Sequence, residues 1–311
     1  MAVQSEAAWD GVVRLRGEPL RVLALRHGGS VVGGEGYAPA RIVPPAVATE
    51  GDLAPLLAAR SANAAREAAA RGAALLVDAE LAARLDRDGV RAGAVWVHPH
   101  ATWAMAALLD EAIVPHAPAM IGEGSSVAPS AVLGPRVVLG MRVVVGAGAV
   151  IGHPGFGWTT GPDGVVRAVP QLGGVVIEDD VAVGPLCTID AGTLSPTRVR
   201  RGAKLDAHVH VGHNGDIGEG TMIAAQCGFA GSVTIGRGVL VGGQVGIADH
   251  VTVGDGARIA AKSGVIGDVP PRAVVAGYPA VPRMRWLRAL AALYRAATYD
   301  TWPSESEPGR P

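Results

Sequence analysis

Three of the chain's nine histidines fall within one short segment, Lys204–Leu205–Asp206–Ala207–His208–Val209–His210–Val211–Gly212–His213–Asn214. Imidazole is the side chain best suited to accept a proton near neutrality, which makes these residues candidates for general-base chemistry. His213 stands two places beyond the aliphatic Val211, a position that the repeat described below turns outward at a corner. Gly231 follows eighteen residues later, where a backbone N–H can face a developing oxyanion, and His250 lies a further nineteen residues on, placed to touch substrate. His208 and His210 alternate on one strand, so at least one is expected to point inward or into an interface as a packing residue. A zinc site from His208, His210 and His213 is disfavoured because one strand does not converge three ligands, and no metal is expected.

The elements that position these groups are legible as a period. Aliphatic residues recur every six positions through Ile121, Val127, Leu133, Leu139, Val145 and Ile151, and again through Ile177, Val183 and Ile189. After a slip of four residues around Ser195–Pro196–Thr197 the series resumes at Val199 and runs to Val265, with Phe229 as its one aromatic member. A six-residue period matches neither helical nor simple strand alternation; it places one inward residue on each short side of a prism. Three hexads close one coil, so the chain is predicted to stack seven coils into a parallel β-helix on the order of 30–35 Å tall at strand spacing. Gly, Asp and Asn after the aliphatic position supply the corners. Trimerisation would press such corners together and form clefts.

Composition agrees with short repeated strands. Of 311 residues, 49% are hydrophobic but only 4% aromatic, and there are 44 glycines. The formal net charge of -1 gives no global reason to expect nucleic acid or a membrane surface as partner. Met1–Asp10 lacks a basic stretch followed by an apolar one, no charge-free run is long enough to span a bilayer, and Cys187 and Cys227 have no CxxC partner. A cytoplasmic protein with two buried free thiols is expected.

Around the column, residues 1–117 read as a small α/β domain suited to nucleotide or substrate binding. Val22–Leu25 and Ala74–Val77 are strand-like and flank an Ala-rich helical stretch over Asp52–Arg71, and a helix is expected near Ala101–Glu111. The β-helix occupies 118–278, with residues 153–176 leaving it as a long loop lacking regular structure. Residues 279–300 form a helical extension, and 301–311, rich in Pro, Ser and Glu, a disordered tail.

Several motifs go beyond the repeat: Gly155–Phe156–Gly157–Trp158, Pro170–Gln171–Leu172–Gly173, Thr188–Ile189–Asp190, Asp206 to Asn214, Ala225–Gln226 with Ala230–Gly231–Ser232, Gly242–Gly243–Gln244–Val245–Gly246 and Ala276–Gly277–Tyr278–Pro279–Ala280. Together they resemble the UDP-3-O-(3-hydroxyacyl)glucosamine N-acyltransferases of lipid A biosynthesis, well over about 120–295 and loosely before that. The resemblance implies a left-handed β-helix and a homotrimer with interfacial sites. It also implies a 3-hydroxyacyl-acyl carrier protein donor, a UDP-amino-sugar acceptor and no cofactor. His213 matches the base, Gly231 the oxyanion donor and His250 a second active-site histidine, while Asp206 matches an acidic position near the base. Asn214, Phe156, Trp158 and Gln171 are the further substrate-binding candidates. Between Gly256 and Tyr299 seven basic residues face Asp268 alone, and six of them, Arg258, Lys262, Arg272, Arg283, Arg285 and Arg288, are candidates for docking an acidic carrier protein.

Two positions depart from that pattern. Ala191 replaces the Arg usual after Thr-Ile-Asp, and Gly51 to Ser61 holds no aromatic ring where the family stacks uracil. A sugar or sugar-nucleotide N-acyltransferase using acyl-CoA on another amino sugar is the alternative enzyme. A non-catalytic or metal-binding scaffold is the alternative that is not one.

Overall fold

The computed structural model describes residues 12–57, 62–114 and 117–296. The expectations for Met1–Asp10 and for the tail at 301–311 lie outside the described residues. The column has three parallel faces of seven, nine and seven strands. Registers follow the hexads: Leu139 pairs with Ile177 on the first face, Val183 with Leu205 on the second and Val211 with both Ile189 and Phe229 on the third. This is the left-handed parallel β-helix class. The second face carries two extra strands, Val274–Ala276 in parallel and Val281–Pro282 turning back antiparallel, which cap the top.

One continuous apolar core runs up the axis from Val137 to Val275 and includes Cys187 and Cys227, both buried free thiols. At the bottom the core thins: Ile121 of the first coil is half-exposed. The corners are tighter than their composition suggested. Twelve of the described non-glycine residues adopt φ between 55 and 64°, among them His208, Asn214, Ser232 and His250. Each such residue accepts a conformation costing about 1 kcal/mol, which the ladders of neighbouring coils enforce.

The N-terminal region is a mixed six-stranded sheet. Its strand order is Val13–Arg14, Arg41–Ile42, Asp52–Leu56, Ala74–Val77, Val95–Val97, Ser30–Val32. Helices α1 (Leu20–His27), α2 (Ala62–Ala70), α3 (Ala79–Arg87) and α4 (Ala101–Asp110) pack around it. Two expectations are corrected here. Val22–Leu25 belongs to α1, where Leu20 and Leu23 are buried at helical spacing while Leu25 faces solvent. Asp52–Leu56 is a strand buried along its whole length, so among the described residues of the expected helix Ala62–Ala70 alone is helical. Asp52 tolerates burial because Arg41 Nε and Nη2 donate to its two oxygens at 2.6 and 2.8 Å and Thr49 N adds a third bond.

The excursion at 153–176 is also more regular than expected. Trp158–Thr160 and Val166–Ala168 pair as an antiparallel hairpin, and the Arg167 guanidinium lies 4.2 Å above the Trp103 ring of α4. Val169 and Leu194 from the column side enter the core beneath α4, tying the sheet to the column. At the top, α5 (Arg283–Ala296) lies against the last strands and buries none of its residues fully.

Phe229 is the largest side chain in the column core and 1% exposed. Phe229→Ala is expected to destabilise by about 3–5 kcal/mol, whereas Met222→Ala, on the half-exposed outer side of the next face, stays within about 0.5 kcal/mol; equilibrium denaturant unfolding of both variants checks the pair.

Candidate functional site

The edge between the third and first faces carries every catalytic and substrate-binding candidate except Asp206. The 153–174 excursion leaves the column there, and one coil higher the slip at 192–196 bends outward at the same edge. His213–Asn214, Gly231–Ser232 and Asp249–His250 follow on successive coils, stitched by Ser232 N donating to His213 O at 2.8 Å and His250 N to Gly231 O at 3.0 Å. The eighteen-residue spacing read from the sequence is thus a vertical stack.

His213 is clamped from both sides by glycine. A Cβ at Gly231 would stand 2.6 Å from His213 Nε2, and one at Gly155 would stand 2.8 Å from His213 Cβ. Both positions must be glycine for the ring to lie where it does. Among the described residues the Gly231 N–H has no hydrogen-bond acceptor, which leaves it available beside Nε2.

The ring's other nitrogen sets its tautomer. His213 Nδ1 lies 3.1 Å from Asn214 Oδ1, and the amide orientation of Asn214 follows from its neighbours: Thr193 N can only donate and faces Oδ1, while Ser195 O can only accept and faces Nδ2. Nδ1 therefore carries the proton and Nε2 the lone pair. The amide is built in from below, because Thr197 Oγ1 accepts from Asn214 N at 2.9 Å and Thr193 Oγ1 lies 2.8 Å from Oδ1.

A cleft of about 640 Å³ opens in front of this ring. Its column side is His213, Asn214, Ser232 and His250, its hairpin side Phe156 and Trp158, and its far wall Pro44, Pro45, Pro55 and Leu57 of the sheet domain with Thr102 and Met105 of α4. Phe156 and Trp158 are exposed and meet edge-on at 6.4 Å between centroids. Gln171 lines the cleft but is 5% exposed, and its amide is engaged within the protein, Nε2 donating to Val169 O and Oε1 accepting from Thr193 Oγ1 at 2.7 Å. Gln171 and Asn214 therefore act as scaffold for the ring rather than as free substrate ligands.

Asp206 is not brought to His213. It sits at the corner between the second and third faces, where its carboxylate accepts from Ala207 N and it lines a separate groove with Lys204, Met222 and Arg258. Seven residues of sequence separation carry it around the prism. The carboxylate near the base is Asp190 of the Thr188–Ile189–Asp190 motif. It occupies the hexad position below Gly212, and its Oδ2 lies 3.1 Å from the place of a Gly155 Cβ and 3.8 Å from His210 Nε2. Burial pushes the Asp190 carboxyl above the usual carboxylate range, with His210, His153 and His213 pulling the other way. Counting back by coils across the slip would have found it.

Neither His208 nor His210 points inward. His208 is exposed at a left-handed corner, and His210 faces outward on the third face, its Nδ1 2.7 Å from Thr188 Oγ1. Among the described residues no cluster of three His, Cys, Asp or Glu groups can hold a metal ion. The six carrier-docking candidates are all exposed but distributed: Arg258 and Arg283 share the groove on the second face, Lys262 and Arg272 sit on corners, and Arg285 and Arg288 lie on α5. Ala191 is buried in strand pairing with Pro154.

Comparison with known proteins adds a class and then particular relatives. Residues 118–153 match the family described as bacterial transferase hexapeptide (six repeats). The chain is similar to UDP-3-O-acylglucosamine N-acyltransferases: 53% identical over 81 residues to that of Christiangramia forsetii, covering 26% of this chain and 24% of the relative. For the Geobacter sp. protein it is 52% over 139 residues (44% and 40%), and for the Methylobacterium sp. 4-46 protein 34% over 156 residues (50% and 44%). The chain thus spans less than half the length of these relatives. Among solved structures, a UDP-N-acetylglucosamine acyltransferase from Campylobacter jejuni aligns at 23% identity and a TM-score of 0.43, covering 60% of this chain and 83% of that one. No helix among the described residues is long and apolar enough to cross a membrane.

Gly231→Ala is expected to displace the His213 ring, visible in a crystal structure of the variant, without loss of the fold. Asp190, with its raised carboxyl, contributes stability that is fully present below the unfolded carboxylate range near ~3.9 and is lost as pH rises through its folded value. Asp190→Asn should therefore melt like the parent near pH 3 and above it at pH 7, as thermal scans at the two pH values would register.

Proposed function

We propose that this protein is an N-acyltransferase that moves a 3-hydroxyacyl chain from an acyl carrier protein thioester to the 2-amine of UDP-3-O-acyl-glucosamine; its relatives are named as UDP-3-O-acylglucosamine N-acyltransferases. The observation that carries the reading is the bare Nε2 of His213 set beside the free N–H of Gly231 at the floor of an aromatic-walled cleft. The amine nitrogen attacks the thioester carbonyl while Nε2 takes its proton. The tetrahedral oxygen receives the Gly231 N–H. Collapse breaks the C–S bond, the imidazolium returns the proton to the leaving sulfur, and an amide remains. His250 lines the same cleft and contacts the sugar. No step calls on a metal or organic cofactor.

The assembly consistent with this chemistry is a cytoplasmic homotrimer, in which a neighbouring copy closes the open side of each cleft. The exposed cations Arg258, Lys262, Arg272, Arg283, Arg285 and Arg288 give the upper column and α5 a field suited to an acidic carrier protein. The described sheet domain presents prolines and Leu57 to the cleft, and the ring pair among its described lining residues is Phe156–Trp158 on the opposite side. That placement favours, as a second reading, acyl-CoA-dependent transfer to another amino sugar stacked on the hairpin.

Incubation with 3-hydroxyacyl carrier protein and UDP-3-O-acyl-glucosamine should yield the diacylated sugar by mass spectrometry. His213→Ala should lower kcat by about 10²–10⁴-fold with the fold intact; unchanged turnover would remove His213 from the chemistry. Substituting acetyl-CoA as donor separates the two readings. Phe156→Ala should raise KM for the acceptor about 2- to 10-fold, the size of one aromatic contact, with kcat little altered in steady-state assays.

A further inference from the structure

We infer that Trp103 is a positioning residue for the aromatic wall of the cleft, its indole clasped by the 158–168 hairpin so that Phe156 and Trp158 stand at a fixed distance from α4. The inference rests on the reading of the cleft as the acceptor site, but its first test does not require turnover.

The two walls that face each other across the cleft come from segments far apart in the chain. Thr102 and Met105 of α4 belong to one, Phe156 and Trp158 to the other. Trp103 lies in the same helical turn as the first wall, about 100° around the helix from Thr102. Its ring stands outside the cleft lining and meets the hairpin instead.

Two hairpin residues hold that ring. A Cβ at Gly161 would stand 2.8 Å from Trp103 Cδ2 and Cε2 and 2.9 Å from Cε3, near-equal distances that put it over the face of the benzo ring rather than at its edge. Gly161 therefore lets the hairpin backbone lie against the indole more closely than any side chain would permit. Arg167, paired with Thr159 across the hairpin, brings its guanidinium 4.2 Å from the ring centroid, a cation over the negative face of an aromatic.

The hairpin is thus held at two ends. At its base Val169 N donates to Gly157 O at 2.8 Å, and the Val169 side chain enters the core under α4. From there the strand Trp158–Thr160 runs to Gly161 and the clasp. Phe156 and Trp158 are themselves largely exposed and meet each other edge-on, so the strand that carries them sets where they stand. With the clasp in place they meet an acceptor in one position. Without it the hairpin pivots on its base, and binding must also order the wall. The effect falls on acceptor binding, because His213 and Gly231 sit on the column and do not move with the hairpin.

Hydrogen–deuterium exchange of the full-length protein, read by mass spectrometry, compares the parent with Trp103→Leu, which loses the ring, and Trp103→Phe, which keeps one. Peptides covering 158–168 should exchange about 10-fold faster in Trp103→Leu and near the parent rate in Trp103→Phe, with peptides from the coils at 199–265 unchanged. In the transferase assay, KM for UDP-3-O-acyl-glucosamine should rise about 10-fold in Trp103→Leu, with kcat and KM for the acyl carrier protein thioester within about 2-fold and phenylalanine recovering most of the loss. Arg167→Met should give the same pattern at about 3-fold, and it carries the test should leucine disturb α4. Unaltered hairpin exchange in both Trp103→Leu and Arg167→Met overturns the inference, as does faster exchange with the acceptor KM unmoved. If the parent transfers no acyl group to this acceptor, the functional reading fails, and the exchange rates still decide whether Trp103 holds the wall.

Discussion

Everything in this molecule follows from the hydrogen bonds between coils. Each short strand directs its N–H and C=O groups along the column axis to the coils above and below, so no backbone pairing is left to hold a strand beside its sequence neighbour. Residues eighteen apart are consequently stacked neighbours, and residues six apart lie on different faces. A site built on such a column is an edge, because only a corner turns consecutive side chains outward together.

The edge between the third and first faces is also where the repeat is broken twice, one coil below the other. A regular column offers a flat corner with no depth. The 153–174 excursion erects a hairpin bearing Phe156 and Trp158 beside that corner, and the slip at 192–196 inserts Thr193 and Leu194 beneath it. The two breaks brace each other through Leu172–Thr193 and Gly173–Gly192 pairing, and both feed side chains into the core under α4. Departures from the period therefore create the cleft, while the intact coils above supply Gly231 and His250 in fixed positions.

The period made the column readable residue by residue, and counting in eighteens placed Gly231 over His213 and His250 two coils and one residue beyond it. The sheet domain was less readable. Val22–Leu25 has strand-forming residue types, but its burial follows the helical spacing of Leu20 and Leu23, and in Asp52–Leu56 the Arg41 ion pair overrides the low strand propensity of Asp and Pro. Ala-rich sequence beyond it carried the helix signal too far toward the N-terminus.

The misplacement of Asp206 follows from the same geometry. Asp206 is a candidate only through the family resemblance; on a three-sided column seven residues move it past one corner and away from His213. Asp190 is remote along the chain yet lies one coil below, and the slip of four residues hides it from a count in sixes. Thr193 has no repeat position at all, so no periodic reading could have singled it out. Its importance arises from the polar groups that the bend leaves unpaired by the ladder, which must find partners among themselves. Asn214, which faces the ring, is an ordinary corner of the repeat, but the groups that fix its amide, Thr193 N and Ser195 O, belong to the slip, which is why the column predicts where the imidazole stands but not which of its nitrogens is bare.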